Sequence, residues 1–202
     1  MSVVDETSGA SFVPAGKWSI DAPGSSVAFT MKHMVLATVN GRFRKFDGML
    51  EIGAGAARAT GVVKAASIDT KEPVRDEHLR NSPDFFDVER YPEISFKSNR
   101  IDYLDGGRLH ILGDLTIRGV TREIELDGQL NGAGHEAVGD ERIELELRGE
   151  LNRRDFGLTW NQALETGGAL LGNKVKIALE ISAVKSEAIH GLLGDAAGFG
   201  GR

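Results

Sequence analysis

Cysteine is absent from this sequence. That excludes disulfides, thiolate nucleophiles and zinc–thiolate centres. Proline is scarce, with 5 residues, and aromatic residues make up 6% of the chain. No apolar run approaches the roughly 20 residues of a membrane-spanning helix. Positive charge is not in excess either: 24 Lys and Arg stand against 30 Asp and Glu, a net charge of -6, with the two signs interleaved. Binding a phosphate backbone calls for clustered cations, so nucleic acid is not an expected partner. Met1 to Ala10 carry neither the basic nor the apolar region of a secretory signal, which makes a cytoplasmic location the expectation.

Catalytic motifs are missing as well. The five histidines, His33, His78, His110, His135 and His190, form no i, i+4 pair and no HExxH, so a metal site is not expected. No GxSxG elbow occurs. The glycine-rich Gly167–Gly172 stretch precedes a strand rather than a helix, so it lacks the helix N-terminus that holds a phosphate.

What is present is alternation. Hydrophobic residues make up 41% and charged residues 27% of 202 residues, with 26 glycines, a composition for one folded, turn-rich domain. Ile143, Leu145, Leu147 and Leu151 alternate with Arg142, Glu144, Glu146, Arg148 and Glu150, an aliphatic inner face against a charged outer face. The same period runs through Ile94 and Phe96, through Leu109 to Ile117, through Ile124 to Leu130, and through Val175 to Ile181. Between Thr38 and Ile52 the parity changes, from Val39, Gly41 and Phe43 to Phe46, Leu50 and Ile52, which predicts a β-bulge between Arg44 and Gly48. Arg58 to Ile68 is small or apolar on both parities and reads as a strand covered on both faces. About eight such strands, apolar inside and polar outside, close into an up-and-down barrel. Residues 1–16 read as a flexible arm, 17–185 as the barrel domain and 186–202 as a tail with scattered apolar residues.

One stretch breaks the pattern. Ser67 to Ser98 packs Arg75, Asp76, Glu77, His78, Leu79 and Arg80 against Ser82-Pro83-Asp84-Phe85-Phe86. Ser82 as N-cap and Pro83 at N1 suggest a helix start. The reading is two short helices separated by Asn81-Ser82, capping the barrel with Leu79, Phe85 and Phe86 turned inward. Phe29, Met31, Phe43, Phe46, Phe86, Phe96, Phe156 and Trp160 gather near strand ends or this insert. They fill a core or line a cavity, and pattern alone leaves both open.

The ordered motifs resemble the YceI-like family. They are Trp18-Ser19-Ile20-Asp21 with Ser26-Val27-Ala28-Phe29 and Lys32-His33-Met34; Val39-Asn40-Gly41-Arg42-Phe43 with Phe46-Asp47-Gly48; Ser67-Ile68-Asp69-Thr70 with Arg75-Asp76-Glu77-His78-Leu79, Asp84-Phe85-Phe86-Asp87 and Tyr91-Pro92-Glu93-Ile94-Ser95-Phe96; Gly113 to Arg122; and Arg153-Arg154-Asp155-Phe156-Gly157-Leu158 with Trp160. The resemblance implies an all-β, extended eight-stranded antiparallel lipocalin-like barrel with a short helical insert. It also implies binding of a long amphiphile, a polyisoprenoid or isoprenoid quinone, in an apolar tunnel, with no other cofactor and no catalysis. Many relatives of that family are periplasmic. The expected tunnel walls are Val27, Phe29, Met31, Phe43, Phe86, Phe96, Ile117, Leu147, Phe156, Trp160 and Ile177, with His33, Arg42 and His78 at the ligand's head. Two other readings stay open: a lipid-directed hydrolase or isomerase using His33 or His78 with Asp76 or Asp114, and an assembly module, a homodimer formed through a sheet edge or the tail.

Overall fold

The alternation in Glu141–Asn152 becomes strand β10. Ile143 is fully buried and Leu147 nearly so, while Glu144, Glu146, Arg148 and Glu150 are exposed. The computed structural model describes residues 14–33, 37–53, 56–135, 141–161 and 170–186, with backbone alone for 132–135. Of the expected arm, residues 1–13 lie outside the described residues, and Gly16 already belongs to a strand. Of the expected tail, only Ser186 lies within them.

The strands are β1 (Gly16–Ile20), β2 (Ser26–His33), β3 (Ala37–Phe43), β4 (Phe46–Gly53), β5 (Ala56–Lys64), β6 (Ile68–Asp69), β7 (Glu93–Leu104), β8 (Arg108–Ile117), β9 (Val120–His135), β10 and β11 (Leu171–Lys185). Every pairing is antiparallel. The order β1-β4-β5-β7-β8-β9-β10-β11 closes through β1 on β11, an eight-stranded barrel. The other three strands are continuations across kinks. β2 follows β1 past a 3-10 turn at Ala22–Gly24, β4 follows β3 past Arg44 and Lys45, and β6 follows β5 past a 3-10 turn at Ala65–Ser67.

The parity change near Arg44 is therefore a break of two residues, set opposite three residues of turn in the partner strand. Bonding continues across it: Arg44 N–H donates to Ser67 O at 3.1 Å and Lys64 N–H to Lys45 O at 2.9 Å. The doubly covered strand expected at Arg58–Ile68 is not formed. β5 ends at Lys64, and its outward Arg58, Thr60 and Lys64 are exposed. Small side chains there serve close strand packing, not a second layer.

β7 has 12 residues, so it is about 40 Å long at ~3.3 Å per residue. A strand tilt of roughly 35–45° makes the barrel about 30 Å tall. Trp18, Leu109, Ile111, Ile124, Leu126 and Ile143 pack its tightest part, between β1 and the β8–β10 wall. At one end β11-β2-β3-β6 extends the wall on one side only, and among the described residues β6 has no partner beyond β3. The insert, residues 70–92, stands in the place the next pairing would take.

The insert holds one helix, α1 (Pro73–Asn81), rather than two. Glu72 caps it, accepting from Val74 N–H and Arg75 N–H, with Pro73 at N1. The second helix expected from Pro83 is a turn. Phe86 N–H returns to Leu79 O at 3.0 Å and Val88 N–H to Arg80 O at 2.9 Å. Those donors satisfy carbonyls at the end of α1 and so cannot propagate a helix of their own.

Candidate ligand-binding site

A cavity of about 660 Å³ occupies the barrel interior, and all eleven strands contribute to its wall. Its size lies within the roughly 300–1,000 Å³ usual for small-molecule sites. Phe29, Met31, Phe43, Phe96, Val175, Ile177 and Leu179 face inward along it, yet they are only partly buried. The surface they keep is cavity surface. The interior is therefore lined rather than filled on the β2-β3-β11 side, while β8 to β10 pack close.

Two glycines make room for the rings. A Cβ on Gly41 would lie 2.3 Å from Phe29 Cζ, and one on Gly113 would lie 2.4 Å from Phe96 Cζ. Each ring lies against bare backbone of a neighbouring strand. Phe29 continues the wall into Phe43 (centroids 5.7 Å apart) and Phe43 into Phe86 of the insert (5.8 Å, edge to face).

The structure places Val27, Phe29, Met31, His33, Phe43, His78, Phe86, Phe96, Ile117, Leu147, Trp160 and Ile177 on the cavity wall. Arg42 and Phe156 are not there. Arg42 alternates with Gly41 and Phe43, so when Phe43 turns in, Arg42 turns out. It is exposed, with its Nε 3.5 Å from Asp69 Oδ2. Phe156 sits in the 3-10 turn Arg153–Phe156 and is 1% exposed, packed into the core. It supports that end of the barrel from behind.

The insert's charges brace it internally at Thr70 and hold it to β6 through Arg80. Asp76 Oδ1 accepts from Thr70 N–H at 2.9 Å and Thr70 Oγ1 at 2.5 Å. Arg75 donates to Thr70 Oγ1 and O at 2.7 and 2.9 Å. Arg80 donates to Ala66 O and Ile68 O at 2.9 and 2.7 Å. Across from these bonds, His78, Phe85 and Trp160 meet ring to ring, with centroids 5.3 to 5.5 Å apart. Offset and edge-to-face pairs of this kind are the favoured aromatic arrangements.

Arg153 is a feature that alternation did not predict. It is 2% exposed and lies on the cavity wall. Its Nε donates to Gly172 O at 2.9 Å, and its Nη1 to Leu158 O at 2.5 Å and Trp160 O at 2.9 Å. Burial, with Arg154 beside it, pushes its pKa below the ordinary arginine value. Sequence gave one usable signal: a charged pair, Arg153-Arg154, inside an irregular segment between two strands.

No acid–base pair converges on the cavity from the groups expected of a hydrolase. Asp76 is committed to Thr70. Asp114 alternates with buried Gly113 and Leu115 and points to the outer face. Neither lines the cavity, and neither bonds His33 or His78. A His–carboxylate pair does exist, His110 with Asp127 at 2.7 Å, but on the barrel's exterior. Among the described residues, no three His, Asp or Glu groups come together as a metal site. No helix among them is long and apolar enough to cross a membrane.

An antiparallel barrel that closes on itself and keeps an apolar hollow along its axis is of the lipocalin type. Comparison with known proteins narrows this class. Residues 18–183 match the YceI-like domain. The UPF0312 protein SA2479 of Staphylococcus aureus is 34% identical over 163 residues, covering 79% of this chain and 92% of that protein. Among solved structures, a Campylobacter jejuni YceI protein superposes with a TM-score of 0.66 at 27% identity, covering 77% of this chain and 90% of that one. A polyisoprenoid binding domain from Saccharophagus degradans shares the fold, with a TM-score of 0.65 at 14% identity, covering 84% of this chain and 98% of that one. The chain belongs to the YceI-like family.

Proposed function

We propose that this protein binds a long-chain amphiphile of the polyisoprenoid or isoprenoid quinone type in its barrel, and carries or sequesters it without chemical change. The observation that carries this reading is the cavity itself: about 660 Å³, walled by apolar side chains from every strand. The polyisoprenoid binding domain of Saccharophagus degradans, which has the same fold, supports it.

Burial is the mechanism. Removing apolar surface from water is worth about 0.8 kcal/mol per CH₂, so a five-carbon unit contributes about 3–4 kcal/mol. Association costs about 4–15 kcal/mol in lost freedom. A chain of several units is needed to overcome that cost, and the cavity runs the length of the barrel. Non-directional burial also explains why the wall shows aromatic and aliphatic groups in no compact motif.

Native mass spectrometry of the purified full chain, followed by solvent extraction, tests the proposal. The expected result is a bound lipid, or, after delipidation, saturable uptake of the neutral apolar dye N-phenyl-1-naphthylamine. A barrel that is empty as purified and takes up no dye would sink it.

A further inference from the structure

Along a mostly apolar wall, the cavity touches the side chains of Asp47, Glu72, Arg75 and Arg153. Asp47 is exposed, and its carboxylate accepts from Gly48 N–H at 2.7 Å. Glu72 is occupied as the helix cap. The two cations remain. Among the described residues, the Arg75 side chain bonds Thr70 and no carboxylate. Arg153 bonds three backbone carbonyls and, at 3.4 Å, the Asn173 side chain.

Five exposed or half-exposed arginines have carboxylate partners: Arg42 and Arg44 on Asp69, Arg90 on Asp87, Arg100 on Asp102 and Arg142 on Asp21. Arg80 and Arg118 bond backbone carbonyls instead, but both are only half-buried. Arg153, almost wholly buried, has no carboxylate partner among the described residues. Buried charges are normally paired, because an unpaired one loses its hydration without recompense. Carbonyl dipoles solvate a guanidinium but leave its net charge in place. A guanidinium also carries five N–H donors. Among the described residues, one on Nη2 has no acceptor and its neighbour has a long one.

We infer that the Arg153 end of the cavity seats the head group of the ligand, and that this head is an oxyanion, a phosphate or a carboxylate, on a single apolar chain lying along the barrel. The inference rests on the binding reading and deepens it. Arg153 supplies the fixed charge and, on Nη2, the donor its carbonyl partners leave open. Trp160, whose carbonyl Arg153 holds, and His78 against it bound the seat with rings. Arg75, on the same helix as His78, adds a second cation at this end. The chain then runs past Phe43, Phe29 and Ile177, where the wall is apolar and hollow. A neutral alcohol of the same chain length would bury the same hydrocarbon and leave the charge uncompensated.

The test is competition for N-phenyl-1-naphthylamine on the delipidated full chain near neutral pH. Geranylgeranyl phosphate is compared with geranylgeraniol, and palmitate with hexadecanol. The expected result is that at least one oxyanion displaces the dye at a concentration at least about tenfold lower than its alcohol, and which of the two does so separates phosphate from carboxylate. Equal potency within both pairs overturns the head-group assignment while leaving the tunnel reading intact. Failure of all four compounds and of the dye removes the tunnel reading instead. In folded Arg153→Gln the oxyanion advantage should vanish with alcohol potency unchanged, and Arg153→Lys should restore part of it. An undiminished advantage in Arg153→Gln would assign Arg153 to holding the 153–161 segment alone. Should the glutamine variant fail to fold, the wild-type comparison still decides.

Discussion

His110 and Asp127 stand opposite each other on the outer faces of β8 and β9, Nδ1 2.7 Å from Oδ1. The hydrogen bond to the Asp127 carboxylate raises the imidazole pKa above its ordinary 6.5, and Glu125 and Asp102 add to it. A raised folded-state pKa means the pair stabilises the protein fully below the unfolded value, and that contribution is lost as pH rises through the folded value. His110→Gln should therefore lower Tm most near about pH 5 and hardly at all near about pH 9. Thermal melts of both proteins across that range check it, and a gap that widened with pH would contradict the assignment. This pair was legible only in part: the alternation of β8 puts His110 outside, but its partner depends on the β8–β9 register. Arg153 was hidden for a related reason. Charged side chains are rarely buried, so Arg153-Arg154 reads as surface, and an irregular segment has no period from which to read direction.

Among the elements, β7 to β11 were readable because one face meets water and the other does not, which is the condition for a clean period of two. The break at Arg44 was visible as a parity change. Its form was not, since it depends on three turn residues, Ala65–Ser67, in the partner strand. α1 is the first of the two expected helices; its start was unmarked because its cap is Glu72, outside the usual Ser, Thr, Asp and Asn set, while Ser82-Pro83 imitates a second start. The join between α1 and the Thr70 turn that leads into it is concentrated in Asp76, which is 5% exposed, as is Thr70. Asp76→Ala leaves the Thr70 N–H and hydroxyl buried without their acceptor, at a cost of about 2–3 kcal/mol. Urea denaturation should show that loss. Asp76→Asn, which keeps one acceptor oxygen, should lose less. If the two variants were equally destabilised, charge rather than the acceptor would be what holds that join.

For the whole molecule the question is whether the barrel is hollow, and the alternation pattern was silent on it. Inward residues are apolar whether they meet across the axis or line a gap. What decides is the barrel's radius, set by strand number and stagger against the summed volumes of the side chains. Neither the three kinked strands nor the insert that replaces a pairing could be read closely enough for that comparison. The structure separates a packed β8–β10 wall from a lined β2-β3-β11 wall, and Ile177 belongs to the second. It pairs with Phe29 on one side and Gly149 on the other, and is only partly buried. Ile177→Trp places an indole where the cavity is. In a filled core, overpacking of this kind costs about 1–3 kcal/mol. In a hollow one the ring enters empty space, so stability should change by less than about 1 kcal/mol, while the space for a ligand chain is lost. The expected outcome is an urea midpoint close to wild type together with dye uptake weakened by at least about tenfold. A clear drop in stability with uptake unchanged would place the ligand elsewhere and return Ile177 to an ordinary core position. Stability and binding should thus separate at this position, because a wall that lines a hollow holds the fold through its outer packing and its strand pairing, and leaves its inner surface free.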